Sequence, residues 1–364
     1  MNRNKIGALA SAAALALGLG ACGSSSKSSS STSSSSSASG TISGAGSTFA
    51  APVYEQWASS LSPLTVNYQA VGSGAGITSL GAKTVDFGAS DPPLKPAEFA
   101  ALEKVGPAVQ VPMFLGAITV SYNLPGVKSG LKLEGKTIAN IYLGKITKWN
   151  DAEIAALNPG VTLPSTAITV IHRSDSSGTT AGFTGFLSAV DPEWKTKVGE
   201  GKDVQWPIGT GAKGNAGVAG AVQQTTGAVG YVEQAYALQH NFTTASVKNK
   251  AGNFVAPSLA STSAAATVVV VPANLGIKIT NPAGAEAYPI TSQTFIVVYK
   301  DMCKAGIPGG ESAAKGVVKF LEYGLGQGQS VLAQADYAAL PSSILEKSKA
   351  AVAGLECNGS HLSG

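Results

Sequence analysis

The chain predicts an α/β protein of two domains, each an open, mostly parallel sheet flanked by helices, and three observations carry that prediction. Alternating β-branched runs give way repeatedly to segments whose apolar residues recur at helical spacing, and the switch passes through turns of glycine and hydroxyl residues. The length of 364 residues suits two domains of ordinary size. The 44 glycines, together with abundant alanine, fit closely packed elements and backbone-lined turns.

In chain order, Thr41 to Gly46 reads as a short strand, followed after Ser47-Thr48-Phe49 by a helix from about Ala50 to Leu61. Pro52 falls in its first turn, where a missing N–H matters little, and Val53, Trp57 and Leu61 share a face. Leu64 to Gln69 alternates as a strand, Val71 to Gly76 is a glycine-rich turn, and Ile77 to Ala82 is helical. Val85 to Ser90 is a strand closed by Asp91-Pro92-Pro93, and Pro112 to Tyr122 is a long apolar extended run. Short helices are expected at Ile138 to Leu143 and Asp151 to Leu157, a strand at Ala167 to Ile171, and a helix from Ala181. Ala216 to Gln224 is helical and Ala228 to Val232 a strand; between Phe242 and Ala285 the periodicity supports only a helix over Pro257 to Ala266. A strand at Ile290 to Tyr299 precedes helices at Gly316 to Gly324, Gln327 to Ala333 and Ile344 to Ala353.

The N-terminus reads as an export signal (1–21): a basic start at Arg3 and Lys5, then an apolar run from Ile6 to Gly20, short for a membrane span. It ends Leu19-Gly20-Ala21-Cys22, the pattern of a cut before a lipid-modified cysteine, and residues 22–40 form a serine-rich tether that cannot bury a core. The expectation is an exported protein, lipid-anchored to the outer face of the cell membrane. The formal charge of +4 falls to about +2 once Arg3 and Lys5 are removed, too balanced for a nucleic-acid partner or for electrostatic attraction to a membrane surface. Cys303 and Cys357 remain, and in an exported chain they are either a disulfide or two buried thiols.

Two motifs mislead. Gly130 to Thr137 matches G-x-x-x-x-G-K-[ST], but no strand immediately precedes it. Gly209 to Gly214 matches G-x-G-x-x-G, but Trp206-Pro207-Ile208 is a poor strand to precede a dinucleotide-binding turn. His172, His240 and His361 show no metal-ligand spacing, and no G-x-S-x-G elbow occurs. Neither a catalytic residue nor a metal nor a cofactor is expected.

The informative stretch is His172 to Thr180, where a strand ends in Arg173, Asp175 and small hydroxyl residues and a helix begins. The first amides of a helix lack internal partners and its dipole is positive there, so hydroxyls, free amides and an arginine together suit a tetrahedral oxyanion. A plain Ser/Thr helix cap beside a surface Arg–Asp pair is the alternative. Two other turns share the character, Gly46-Ser47-Thr48-Phe49 and Gly72-Ser73-Gly74-Ala75-Gly76. Asp91 closes a strand at the same sheet end; a carboxylate beside an anion repels it unless the anion donates a proton, which phosphate can do and sulfate cannot.

These residues resemble the phosphate-binding proteins of bacterial ABC phosphate uptake systems over roughly Thr41 to Leu345. The resemblance is carried by Gly44-Ala45-Gly46-Ser47-Thr48-Phe49-Ala50-Ala51-Pro52, Val71-Gly72-Ser73-Gly74, Val85-Asp86-Phe87-Gly88-Ala89-Ser90-Asp91, Trp206-Pro207-Ile208-Gly209 and Gly227-Ala228-Val229-Gly230-Tyr231-Val232-Glu233. It implies a type II two-lobe periplasmic-binding-protein fold, with lobe 1 from 41–114 plus 290–364, lobe 2 from 115–289, and crossings near Pro112 to Gly116 and Tyr288 to Thr291. It implies phosphate contacts from Ser47, Thr48, Phe49, Ser73, Asp91, Arg173, Ser177, Gly178 and Thr179, with Asp175 holding Arg173. It further implies a monomer that binds inorganic phosphate without chemistry and delivers it to the transmembrane subunits of an ABC permease. Two departures stand out: Ser176 where the family commonly has glycine, and His172 where a second arginine can occur. A receptor for another oxyanion such as sulfate or molybdate is the runner-up; a surface phosphatase or adhesin is the reading from a different class.

Overall fold

The computed structural model describes residues 40–267 and 270–363, so the expected export signal, Cys22 and the serine-rich stretch lie outside the described residues. The chain starts with β1 (Thr41–Gly46) and α1 (Ala51–Ser59), which buries Val53, Tyr54 and Trp57 and carries proline in its first turn. β2 (Thr65–Ala70) follows, then α2 (Ser73–Gly81), which begins four residues before Ile77. The glycine-rich turn is drawn into that helix because Gly72, at φ +96°, makes the sharp entry that a side chain would resist. β3 (Phe87–Ser90) and α3 (Pro96–Leu102) come next, the latter marked only by proline at its start and Glu98 bonding back to the Lys95 amide. β4 (Ala108–Tyr122) is 15 residues long.

The first misleading motif contains β5 (Lys132–Leu133) within itself and runs into α4 (Gly135–Tyr142), leaving Lys136 exposed. α5 (Ala152–Leu157) leads to β6 (Thr169–Arg173), α6 (Gly178–Val190) and α7 (Pro192–Lys197). The second misleading motif likewise encloses a strand, β7 (Thr210–Ala212), and ends on α8 (Gly214–Gln224). β8 (Ala228–Glu233) and α9 (Gln234–Gln239) follow. Between 242 and 285 lie the short strands β9 (Thr243–Thr244), β10 (Ser246–Lys248) and β11 (Phe254–Val255), and α10 (Leu259–Ala266), which Ser258 caps. β12 (Thr291–Tyr299), α11 (Met302–Ala305), α12 (Gly310–Leu325), α13 (Gln327–Val331), α14 (Ser342–Ala353) and the hairpin β13 (Glu356–Cys357) and β14 (Ser360–His361) complete the chain.

The main sheet runs β2-β1-β3-β12-β4-β8-β6-β7, with β9 also on β4. Its outer strands are parallel, as the β-turn-α rhythm requires, whereas β12 and β4 are antiparallel to each other and to their outer neighbours. β4 joins the two halves. Ala108 to Ala117 pairs with β12, and Ile118 to Tyr122 pairs with β8, so the partner changes at Ala117/Ile118, just downstream of the segment expected to cross. The Ile118 amide donates to the Ile290 carbonyl at 2.8 Å, which places the second connection beside the first.

Each half packs its own aromatic group. Trp57 meets Phe114 and Phe320 edge-on in the first, and Tyr142, Phe183 and Tyr231 cluster in the second, all of them buried. Side chains of this size contribute roughly 1.5–3 kcal/mol each on full burial, so each half carries a substantial core. Cys303 on α11 is bonded to Cys357 on β13 as a disulfide, tying the C-terminal hairpin to the first half.

Candidate functional site

The strand ends and helix starts converge where the two halves of the sheet face each other. The first wall is the loop after β1, the start of α2 and the residue after β3. Ser47 and Ser73 both donate hydroxyl protons to Asp91, the former in a very short bond to Oδ1 and the latter at 3.4 Å to Oδ2. The Ser47 hydroxyl also accepts from the Ala50 amide at 3.0 Å, which fixes the loop that carries Thr48 and Phe49. Tyr68 donates to the Ser47 carbonyl at 2.8 Å and Gln293 to the Asp91 carbonyl at 2.7 Å. Asp91 is 1% exposed, and burial pushes its carboxyl up to about 6, against the opposing pull of the serine hydroxyls and the Arg173 charge. Phe49 buries its ring against Tyr337 and offers the cleft only its backbone.

The second wall is the end of β6 and the start of α6. Arg173 is buried, and its guanidinium makes a bidentate pair with Asp175, with Nε 2.7 Å from Oδ1. Burial works to raise Asp175, but the Arg173 bonds and charge and the Gly214 amide outweigh it, holding the carboxyl below its ordinary value. Ser177 caps α6 by accepting from the Thr180 amide at 3.1 Å, and the Tyr231 hydroxyl accepts from the Arg173 amide at 3.1 Å. Among the described residues, the amides of Thr48, Phe49, Gly178 and Thr179 make no hydrogen bond to a protein acceptor. Four such amides at turn and helix starts make a donor-rich pocket.

The walls touch. A Cβ on Gly178 would sit 2.1 Å from Asp91 Oδ2, so glycine alone allows α6 to approach the carboxylate. The Gly74 amide donates to the Ser176 carbonyl at 3.0 Å, and Glu98 and Lys202 form an ion pair between α3 and the loop after α7. All nine expected contact residues and Asp175 therefore fall in one cluster. The two departures do not enter it: Ser176 donates to Asp203 at 2.5 Å, and His172 stacks on Trp206 with its Nδ1 beside the Arg173 carbonyl.

Sequence reasoning missed three residues here. Asn215, at the start of α8, donates through Nδ2 to Thr48 Oγ1 at 3.0 Å and Thr179 Oγ1 at 3.1 Å, one on each wall. Tyr236 donates to the Thr48 carbonyl at 2.7 Å. The Tyr337 hydroxyl lies 2.6 Å from the Phe49 carbonyl and 2.7 Å from Glu233 Oε2 and shares its one proton between them, and burial pushes the Glu233 carboxyl well above the usual carboxylate range. Asn215 directly follows the second misleading motif, and its helix-start position was the available signal.

The fold and the cleft define a two-lobe periplasmic-binding-type protein, and the PBP superfamily domain matches residues 31–325. The phosphate-binding protein PstS of Pasteurella multocida is 45% identical over 85% of this chain and 89% of its own length, and that of Methanocaldococcus jannaschii is 34% identical over 78% of each. The chain belongs to this family. Among solved structures, a phosphate-binding protein from Stenotrophomonas maltophilia overlays with a TM-score of 0.70 at 20% identity, covering 89% of this chain and 99% of that one. A high-affinity periplasmic phosphate-binding protein bound with phosphate overlays with a TM-score of 0.69 at 22% identity, covering 85% and 93%. At these identities the overlays establish the shared fold.

Proposed function

We propose that this chain captures inorganic phosphate in the interlobe cleft and hands it, chemically unchanged, to an ABC-type phosphate permease. The observation that carries the reading is Asp91: a buried carboxylate gathered into one cluster with amides that make no protein hydrogen bond and with a guanidinium that is already paired. Such a site asks for an anion that is mostly acceptor and carries one proton, which describes phosphate and not sulfate. Thr48, Phe49, Arg173, Ser177, Gly178 and Thr179 supply donors, Ser47 and Ser73 turn their hydroxyl protons from Asp91 to the anion as it binds, and Asp91 takes the ligand proton.

The lobes are 41–114 with 290–364, and 115–289, and closure on the ligand creates the shape the permease reads. The protein works as a monomer at the outer face of the cell membrane, held by lipid on Cys22 through the serine tether. Among the described residues no helix is long and apolar enough to cross a membrane, which agrees with that placement. Isothermal titration with phosphate and with sulfate tests the reading: tight phosphate binding with sulfate weaker by orders of magnitude is expected, and equal affinities would remove the role given to Asp91.

A further inference from the structure

We infer that Asn215 is a specificity-determining positioning residue: it turns the Thr48 and Thr179 hydroxyls into obligate donors aimed at the bound anion, without touching the anion itself. The inference rests on the phosphate reading of the cleft and goes beyond it. A hydroxyl has one proton and two lone pairs, so the direction of its proton is settled by who occupies the lone pairs. Thr48 Oγ1 accepts from Asn215 twice, from Nδ2 at 3.0 Å and from the backbone amide at 3.3 Å. Thr179 Oγ1 accepts from Asn215 Nδ2 at 3.1 Å and from the Arg173 guanidinium at 3.3 Å. Both oxygens have their lone pairs filled, and each has only its proton left to give. Among the described residues no acceptor lies in reach of either proton.

The orientation of the amide itself is pinned. Asn215 Oδ1 accepts from the Glu233 amide at 3.0 Å, so a flipped side chain would set its NH2 group against that N–H, donor against donor. Asn215 is fully buried, so water cannot take over either role. One primary amide thus spends both protons on two threonines that stand on opposite walls. The consequence is a division of labour: Asp91 is the cleft's carboxylate acceptor, and Asn215 keeps the two threonines as donors. A hydroxyl free to rotate could accept a proton from the ligand and blur the count of ligand protons on which selectivity depends.

The test is a coupling measurement. Phosphate is titrated calorimetrically into the wild type, Asn215→Ala, the Thr48→Val Thr179→Val pair, and the triple variant. Acting through the hydroxyls, Asn215→Ala should weaken phosphate binding at least tenfold in the wild-type background and less than twofold where both hydroxyls are gone. An equal loss in both backgrounds, or no loss in either, would overturn the inference. If Asn215→Ala does not fold, Asn215→Asp has the same shape but accepts from both hydroxyls; its phosphate affinity should fall at least a hundredfold, and an affinity within threefold of wild type would overturn the proposal. A wild type that binds no phosphate strikes the underlying reading instead, whereas a wild type that binds phosphate without the coupling strikes only the role of Asn215.

Discussion

The two walls of the cleft solve the same problem with opposite chemistry. The first, after β1 and β3, presents a carboxylate, Asp91, held by neutral hydroxyls and pushed up by burial to about 6. The second, after β6, presents a cation, Arg173, whose charge is cancelled at close range by Asp175. On the proposed reading, one wall asks whether the ligand carries a proton and the other supplies a rigid, pre-paired fork. Separating the question from the grip explains how a site can be tight and selective with few residues.

Breaking the second wall should have the largest effect. Arg173→Met removes the fork and leaves the partly buried Asp175 without its guanidinium, and the loss of one member of a fully buried pair, about 3–5 kcal/mol, is the upper bound on the cost. Phosphate affinity should fall by about two to three orders of magnitude in calorimetry, with sulfate weakened alike. Breaking the first wall should act on the ratio instead. Asp91→Asn should lower phosphate affinity about tenfold while reducing phosphate-over-sulfate discrimination about a hundredfold or more, because a site built around one hydrogen-bonding role rejects a mismatch by roughly 10⁴. An unchanged ratio in competition titrations would sink the proton-reading role.

Acid should sharpen the comparison reversibly. Asp91 accepts when ionised and donates when protonated, so discrimination should decline as the pH falls through about 6 and be absent from the pH profile of Asp91→Asn. For the unliganded fold the sign is the reverse of a salt-bridged aspartate. With its value raised from 3.8 to about 6 in the folded state, Asp91 keeps the folded chain more protonated than the unfolded one between those limits. Its contribution therefore favours folding at low pH and is lost as the pH rises through that window, which chemical denaturation of wild type and Asp91→Asn at pH 4 and pH 7 can measure. The smallest effect on binding belongs to the disulfide: replacing Cys303 and Cys357 with serine should cost about 2–5 kcal/mol of stability and leave phosphate affinity unchanged.

How legible each wall was follows from where its information lies. The turns were readable because glycine and hydroxyl residues between a strand and a helix have few other uses, and Asp91 because it closes a strand at the same sheet end. α3 and α9 were not foreseen: each is only one or two turns long, and α3 buries a single residue, so periodicity has nothing to repeat. The central antiparallel pair was hidden as well, since the direction of β12 relative to β4 is set by where a chain returns from nearly 170 residues away. Asn215 and Tyr337 escaped for the same reason: their partners, Thr48 and Thr179 for one and Phe49 and Glu233 for the other, are distant in sequence, and an asparagine after a glycine reads as any helix start.

The Arg173–Asp175 pair has one more consequence. With Asp91 ionised, Arg173, Asp175 and Asp91 sum to one negative charge before any anion arrives, so the ligand is received by oriented amides and hydroxyls and not by a surplus of positive charge. Dipoles buried this deeply have almost no ionic atmosphere to lose, and mobile ions screen them little. A receptor made this way should hold its cargo nearly as firmly in brine as in fresh water, which would suit the exported placement proposed above, where the salinity is not the cell's to choose.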